Sequence, residues 1–193
     1  PDYAQLPQGK PQALVVAPTR ELAAQCAEVV AEVCAGAGLR VASFVGGQAL
    51  SRDRRALVAP VDVAVGTPGR LADLLGDGPL AATDATVVVL DEVDQLLGPS
   101  FADQTGVLLA AWEGATLLAT TATADDAVVE EMRGRRPGLA VHRVTTPSPT
   151  AADGAASSTA SGPPRRLVVV AATDPDAFAA TLAAYKFFNI RVT

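Results

Sequence analysis

Short Val- and Leu-rich runs alternate along this chain with longer stretches whose apolar residues recur at helical spacing. Parallel strands need a crossover connection, and a crossover helix covers a face of the sheet, so this alternation predicts an α/β fold with helices on both faces of a parallel sheet. The spacing predicts strands over 13–17, 40–45, 61–65, 86–90, 116–120 and 140–144. Helices are expected over 21–35, 51–58, 70–75, 101–112 and 125–135. Val87, Val88, Val89 and Leu90 show no polar alternation, as expected of a central strand covered on both faces.

With 49% hydrophobic and 19% charged residues, the 193-residue chain can bury a core, and no apolar run reaches the roughly 18–20 residues that span a bilayer. No membrane partner is expected. A net charge of −6 excludes a bulk electrostatic footprint for nucleic acid, so any polyanion must be met by a local patch. Cys26 and Cys34 fall on one predicted helix, about 12 Å apart at 1.5 Å per residue, too far to bridge. With a single histidine, His142, they form no zinc set, and they read as two small buried hydrophobes in a reducing intracellular compartment.

The organisation predicts one domain over 1–144, then a stretch over 145–164 of Ala, Ser, Thr, Gly and Pro that cannot offset its chain entropy and reads as a flexible linker. A strand over 166–171, a helix over 174–185 and a strand over 187–192 would begin a second α/β domain over 165–193.

Chemistry concentrates at predicted strand ends. Pro18-Thr19-Arg20-Glu21-Leu22-Ala23-Ala24-Gln25 turns a strand into a helix, so free backbone amides and the positive helix end lie beside the Arg20 guanidinium. By itself this is also a plain capped helix, with Thr19 as cap. The geometry recurs at Gly46-Gly47 and at Thr67-Pro68-Gly69-Arg70, where glycine permits close backbone approach and Arg70 adds a second guanidinium. Three such loops on one sheet edge suit a sugar-phosphate backbone bound without regard to base. Asp91-Glu92-Val93-Asp94 puts three carboxylates at the end of the apolar central strand, where they can hold Mg²⁺ through water and orient an attacking water. A solvated acidic turn has the same composition. Thr120-Thr121-Ala122-Thr123 ends the next strand with hydroxyls able to reach Asp94, or to cap the following helix. The arginine clusters 52, 54, 55 and 133, 135, 136 read as solvated surface, and Phe101 and Trp112 as core.

The ordered series PTRELAAQ, GG, TPGR, DEVD and TAT resembles the first RecA-like domain of the DEAD-box RNA helicases, over roughly 13–144. The resemblance implies that Pro18, Thr19, Arg20, Gly46, Gly47, Thr67, Pro68, Gly69 and Arg70 line an RNA backbone. It implies ATP and Mg²⁺ as ligands: Asp91 holding the metal through water, Glu92 activating the hydrolytic water, and Asp94 with Thr121 and Thr123 coupling nucleotide state to RNA binding. The activity implied is ATP-dependent unwinding of duplexes or remodelling of a ribonucleoprotein.

Val93 stands where the family pattern has alanine, and Thr121 where it has serine, which keeps every carboxylate and the hydroxyl. The family's phosphate-binding loop, Gly-rich with a Lys-Ser/Thr ending, has no counterpart: the only Gly-Lys, Gly9-Lys10, runs into Pro11. The expectation is therefore an incomplete RecA-like domain, a piece of a longer helicase, unable by itself to hydrolyse ATP. The resemblance also implies that the strand preceding that loop belongs inside the sheet, beside the acidic strand. Two alternatives stand beside this reading: a non-enzymatic, degenerate helicase domain acting as an RNA- or protein-binding scaffold, and an unrelated α/β domain for a small ligand.

Overall fold

The structure is a computed structural model that describes residues 10–76, 80, 85–121, 126–136, 139–145 and 166–172, the last two segments by their backbone. The predicted alternation is present. In chain order the elements are β1 (Ala13–Val16), α1 (Arg20–Ala35), β2 (Val41–Phe44), α2 (Leu50–Ala56), β3 (Val63–Gly66), α3 (Pro68–Gly76) and β4 (Val87–Leu90). They continue with α4 (Val93–Leu96), α5 (Ala102–Ala111), β5 (Thr116–Ala119), α6 (Asp126–Arg135), β6 (Leu139–Thr145) and β7 (Arg166–Ala172). The single-turn α4 is not among the predicted helices; its first two residues, Val93 and Asp94, close the acidic tetrapeptide.

The sheet order is β2-β3-β1-β4-β5-β7-β6, and β2, β3, β1, β4 and β5 are parallel. Because successive strand residues point to opposite faces, the sheet divides its core in two. Val15, Val63 and Val65 pack with Cys26 and Cys34 of α1 on one face. Leu14, Val16, Ala64, Val88 and Leu90 pack on the other with Leu71 and Leu74 of α3, Leu96 of α4, Leu108 and Leu109 of α5, and Met132 of α6. Helices thus cover both faces, as expected. The apolar strand β4 is central, but Val88 and Leu90 are buried while Val87 and Val89, on the α1 side, are only half-buried.

Two expectations meet a different arrangement. The position beside the acidic strand that the resemblance assigns to a further strand is filled: β4 pairs with β1 on one side and β5 on the other. The strand expected to open a second domain, β7, lies in this same sheet, antiparallel to β5 through Leu118↔Ala171 and Ala119↔Val170 and to β6 along seven register pairs. The linker beyond residue 145, the helix over 174–185 and the strand over 187–192 lie outside the described residues. No helix among the described residues is long and apolar enough to cross a membrane.

Candidate nucleic-acid and nucleotide site

β1 and β4 are neighbours whose following helices lie on opposite faces, α1 on one and α4 with α5 on the other. A parallel sheet opens a crevice at the carboxyl ends of such a strand pair. Both predicted motif groups meet here: the amide of Asp91 donates to the Val16 carbonyl (2.9 Å), tying the acidic turn to the start of the Pro18-Thr19-Arg20 loop.

On the β1 side, Thr19 is the N-cap of α1, its Oγ1 accepting from the Leu22 amide at 3.1 Å. The capped-helix reading is therefore correct as far as it goes, and the hydroxyl keeps a proton to donate. Arg20 is exposed, and among the described residues it makes no ion pair. Its guanidinium lies across the glycine pair: a Cβ on Gly46 would meet Nη2 at 3.3 Å, and one on Gly47 would meet Nη1 at 2.5 Å. Gly47 also holds φ +89°. The glycines were expected to admit a ligand; here they leave room for the Arg20 guanidinium, which lies over them.

Arg70 differs from its expected role as a phosphate grip. Its side chain is 8% exposed, and Nη1 donates to Asp53 Oδ2 at 2.6 Å, an ion pair inside the protein. Nη2 donates to the Gln48 carbonyl at 2.6 Å. Arg70 thereby ties α3 to α2 and to the loop just after Gly47. Asp53 and Gln48 were missed by the sequence reading, since a partner 17 residues away leaves no local pattern. Of the rest of that motif, Thr67 is half-buried and its carbonyl accepts from Leu71, Pro68 is a buried first residue of α3, and Gly69 faces open space.

At the end of β4 the turn is clipped to β5, with the Val93 amide donating to the Thr120 carbonyl (2.8 Å). Asp91 Oδ1 accepts from Thr120 Oγ1 (2.5 Å) and from the Glu92 amide (3.1 Å). Asp91 Oδ2 accepts from the Cys26 thiol of α1 at 3.6 Å. Burial and the Asp91 charge push the Cys26 thiol up to about 12, so it stays a protonated donor. The view of Cys26 as a plain hydrophobe is thus corrected: it is buried and it faces the acidic motif. Glu92 adopts a left-handed backbone (φ 53°), and Gln95 Nε2 donates to its Oε2 at 2.6 Å. Partial burial, then the charges of Asp91 and Asp94, raise the Glu92 carboxyl above its ordinary value. The expected hydroxyl contact to Asp94 is present, Thr121 Oγ1 donating to Oδ1 at 2.7 Å, while Thr123 lies outside the described residues.

Among the described residues, no three His, Cys, Asp or Glu side chains converge as a metal cage. The donor set nevertheless suits Mg²⁺, a hard cation that keeps most of its water and is held by one or two carboxylates together with substrate phosphates. Asp91, with oxygen capacity left on Oδ2 and its side chain fixed by three donors, fits that mode.

The chain resembles known proteins in sequence and in fold. The chain is 46% identical over 93 residues to eukaryotic initiation factor 4A-1 of Arabidopsis thaliana, a match covering 48% of this chain and 23% of that protein. It is 40% identical over 101 residues to DEAD-box ATP-dependent RNA helicase 5 of Oryza sativa, covering 52% and 20%. The matched region thus spans between a fifth and a quarter of those relatives' length. Among solved structures, the yeast DEAD-box splicing factor Prp28 superposes with TM-score 0.58 at 33% identity, covering 64% of this chain and 30% of that one. A Saccharomyces cerevisiae Dbp5 variant bound to RNA and ADP BeF3 gives 0.60 at 29%, covering 67% and 33%. These neighbours make the fold RecA-like. The family model described as DEAD/DEAH box helicase matches residues 3–132, two thirds of the sequence, and the chain belongs to that family.

Proposed function

We propose that this chain supplies the RNA-backbone track and the acidic catalytic residues of an ATP-dependent RNA helicase that unwinds duplexes or remodels ribonucleoproteins. The observation that carries the reading is the meeting, at the carboxyl ends of adjacent strands β1 and β4, of an exposed Arg20 without an ion-pair partner among the described residues and a pre-positioned Asp91. Arg20, the Thr19 hydroxyl and the first-turn amides of α1 and α3 bind phosphates, which sets affinity without reading bases. The Dbp5 neighbour, solved with RNA and ADP BeF3, supports the same assignment.

Asp91 would hold Mg²⁺ through water, and the ion would supply charge neutralisation at the phosphates of ATP. Glu92, raised in basicity by partial burial and then by its acidic neighbours, and oriented by Gln95, holds and then accepts a proton of the attacking water. Asp94, bonded to Thr121, links this turn to the end of β5, so a shift at the nucleotide is felt along the strand ends that face RNA. No Gly-Lys-Ser/Thr sequence occurs in the 193 residues, so this chain by itself is proposed to bind single-stranded RNA without hydrolysing ATP; hydrolysis belongs to a longer protein that carries the loop.

Titration with fluorescent single-stranded RNA, with and without ATP and Mg²⁺, tests this. The expected result is saturable binding indifferent to ATP, with no phosphate released. Absence of RNA binding overturns the track, and ATP turnover by the chain overturns the assignment of hydrolysis to a longer protein.

A further inference from the structure

The donors around Asp91 come from three separate elements: the Thr120 hydroxyl after β5, the Glu92 amide in the turn, and the Cys26 thiol on α1. Glu92 would supply its amide whatever its side chain, but the other two donors are side chains chosen by this sequence. An ionised carboxylate offers about four lone-pair sites. Oδ1 receives two donors, and Oδ2 receives only the thiol, a weak and soft donor that leaves that oxygen most of its strength. Thr120 is 3% exposed and Cys26 4%, so neither hydrogen bond competes freely with water. Neither residue belongs to the roles assigned above.

From this geometry we infer that Thr120 and Cys26 are positioning residues. Together they hold the Asp91 side chain in one rotamer, with Oδ1 on the Thr120 hydroxyl after β5 and Oδ2 on the Cys26 thiol of α1. They act through Asp91 and touch no substrate. This is the arrangement in which outer groups orient a ligating carboxylate before a metal arrives. The inference rests on the reading of Asp91 as the metal-holding carboxylate, but its geometric content stands apart from any metal.

The test is the χ1 coupling pattern of Asp91 in the isotope-labelled 193-residue chain, read without metal or nucleotide. Wild type is expected to give the couplings of a single rotamer. The Thr120→Val/Cys26→Ala double variant is expected to give averaged couplings while its amide spectrum stays folded, and the single variant Thr120→Ser, which keeps the hydroxyl beside Cys26, is expected to keep the single-rotamer pattern. Single-rotamer couplings in a folded double variant would overturn the inference. Should the double variant not fold, the infrared S–H stretch of Cys26 decides in a Cys34→Ala background. Asp91→Asn is expected to move it to higher frequency, because a neutral acceptor draws less on the thiol, and an unmoved band overturns the contact. A Mg²⁺ titration of the 90–93 amides then separates the two layers: a positive coupling result with no response to Mg²⁺ leaves the positioning intact and removes the metal reading alone.

Discussion

Arg20 and Arg70 occupy similar places in the sequence, each in the first turn of a helix that follows a parallel strand, and the fold treats them in opposite ways. Arg20 is exposed, lies over two glycines and makes no ion pair among the described residues. Arg70 is buried on Asp53 and the Gln48 carbonyl. The difference teaches that one guanidinium is left exposed at the sheet edge while the other builds the loop against which the first is laid. A buried charge must be paired, and the Asp53 pair makes Arg70 part of the framework.

The largest effect is expected from breaking that framework. Arg70→Ala leaves Asp53 buried without its partner and should lower unfolding free energy in urea by about 3–5 kcal/mol. Replacing both members with apolar residues, Asp53→Leu/Arg70→Met, should recover most of that loss, because no charge is then stranded. Next comes the glycine pair. Gly47→Ala forces an alanine into a left-handed conformation and drives a Cβ into the Arg20 guanidinium, a cost of about 1–2 kcal/mol from the backbone alone. Gly69→Ala, where a Cβ meets nothing within 4 Å, should be neutral or slightly stabilising in the same assay.

The smallest effect lies in the acidic turn, and it sharpens the contrast between a cation held by a carboxylate and carboxylates held near one another. The Glu92 carboxyl is raised, so its favourable contribution is complete below its unfolded value and is lost as pH rises through its folded one. Glu92→Gln should therefore have a higher Tm than wild type at neutral pH, with the gain vanishing as pH falls toward about 4. An equal gain at both pH values would assign it to relief of something other than charge.

Much of this was legible from the chain. Strand-to-helix alternation follows from burial, which the sequence records residue by residue, so the predicted strands and helices among the described residues lie within two residues of their observed ends. Thr121 reaching Asp94 was legible as well, because strand ends in adjacent register bring such groups together. What was not legible depends on distant pairing. Nothing local marks Asp53 as the partner of Arg70, or Cys26 and Thr120 as donors to Asp91 across 65 and 29 residues. The placement of β7 in the same sheet was hidden for the same reason: its apolar pattern fits any buried strand, and only the edge of β5 decides which sheet it joins.

The central claim, that Arg20 meets the RNA backbone and Arg70 does not, is tested most directly by the salt dependence of single-stranded RNA affinity. Each phosphate contact contributes about 0.7 to the slope of log affinity against log salt for a single strand. The account predicts that Arg20→Ala lowers the slope by about that amount, while Asp53→Leu/Arg70→Met leaves it at the wild-type value. An unchanged slope in Arg20→Ala, or an equal drop in the Asp53→Leu/Arg70→Met protein, would contradict it.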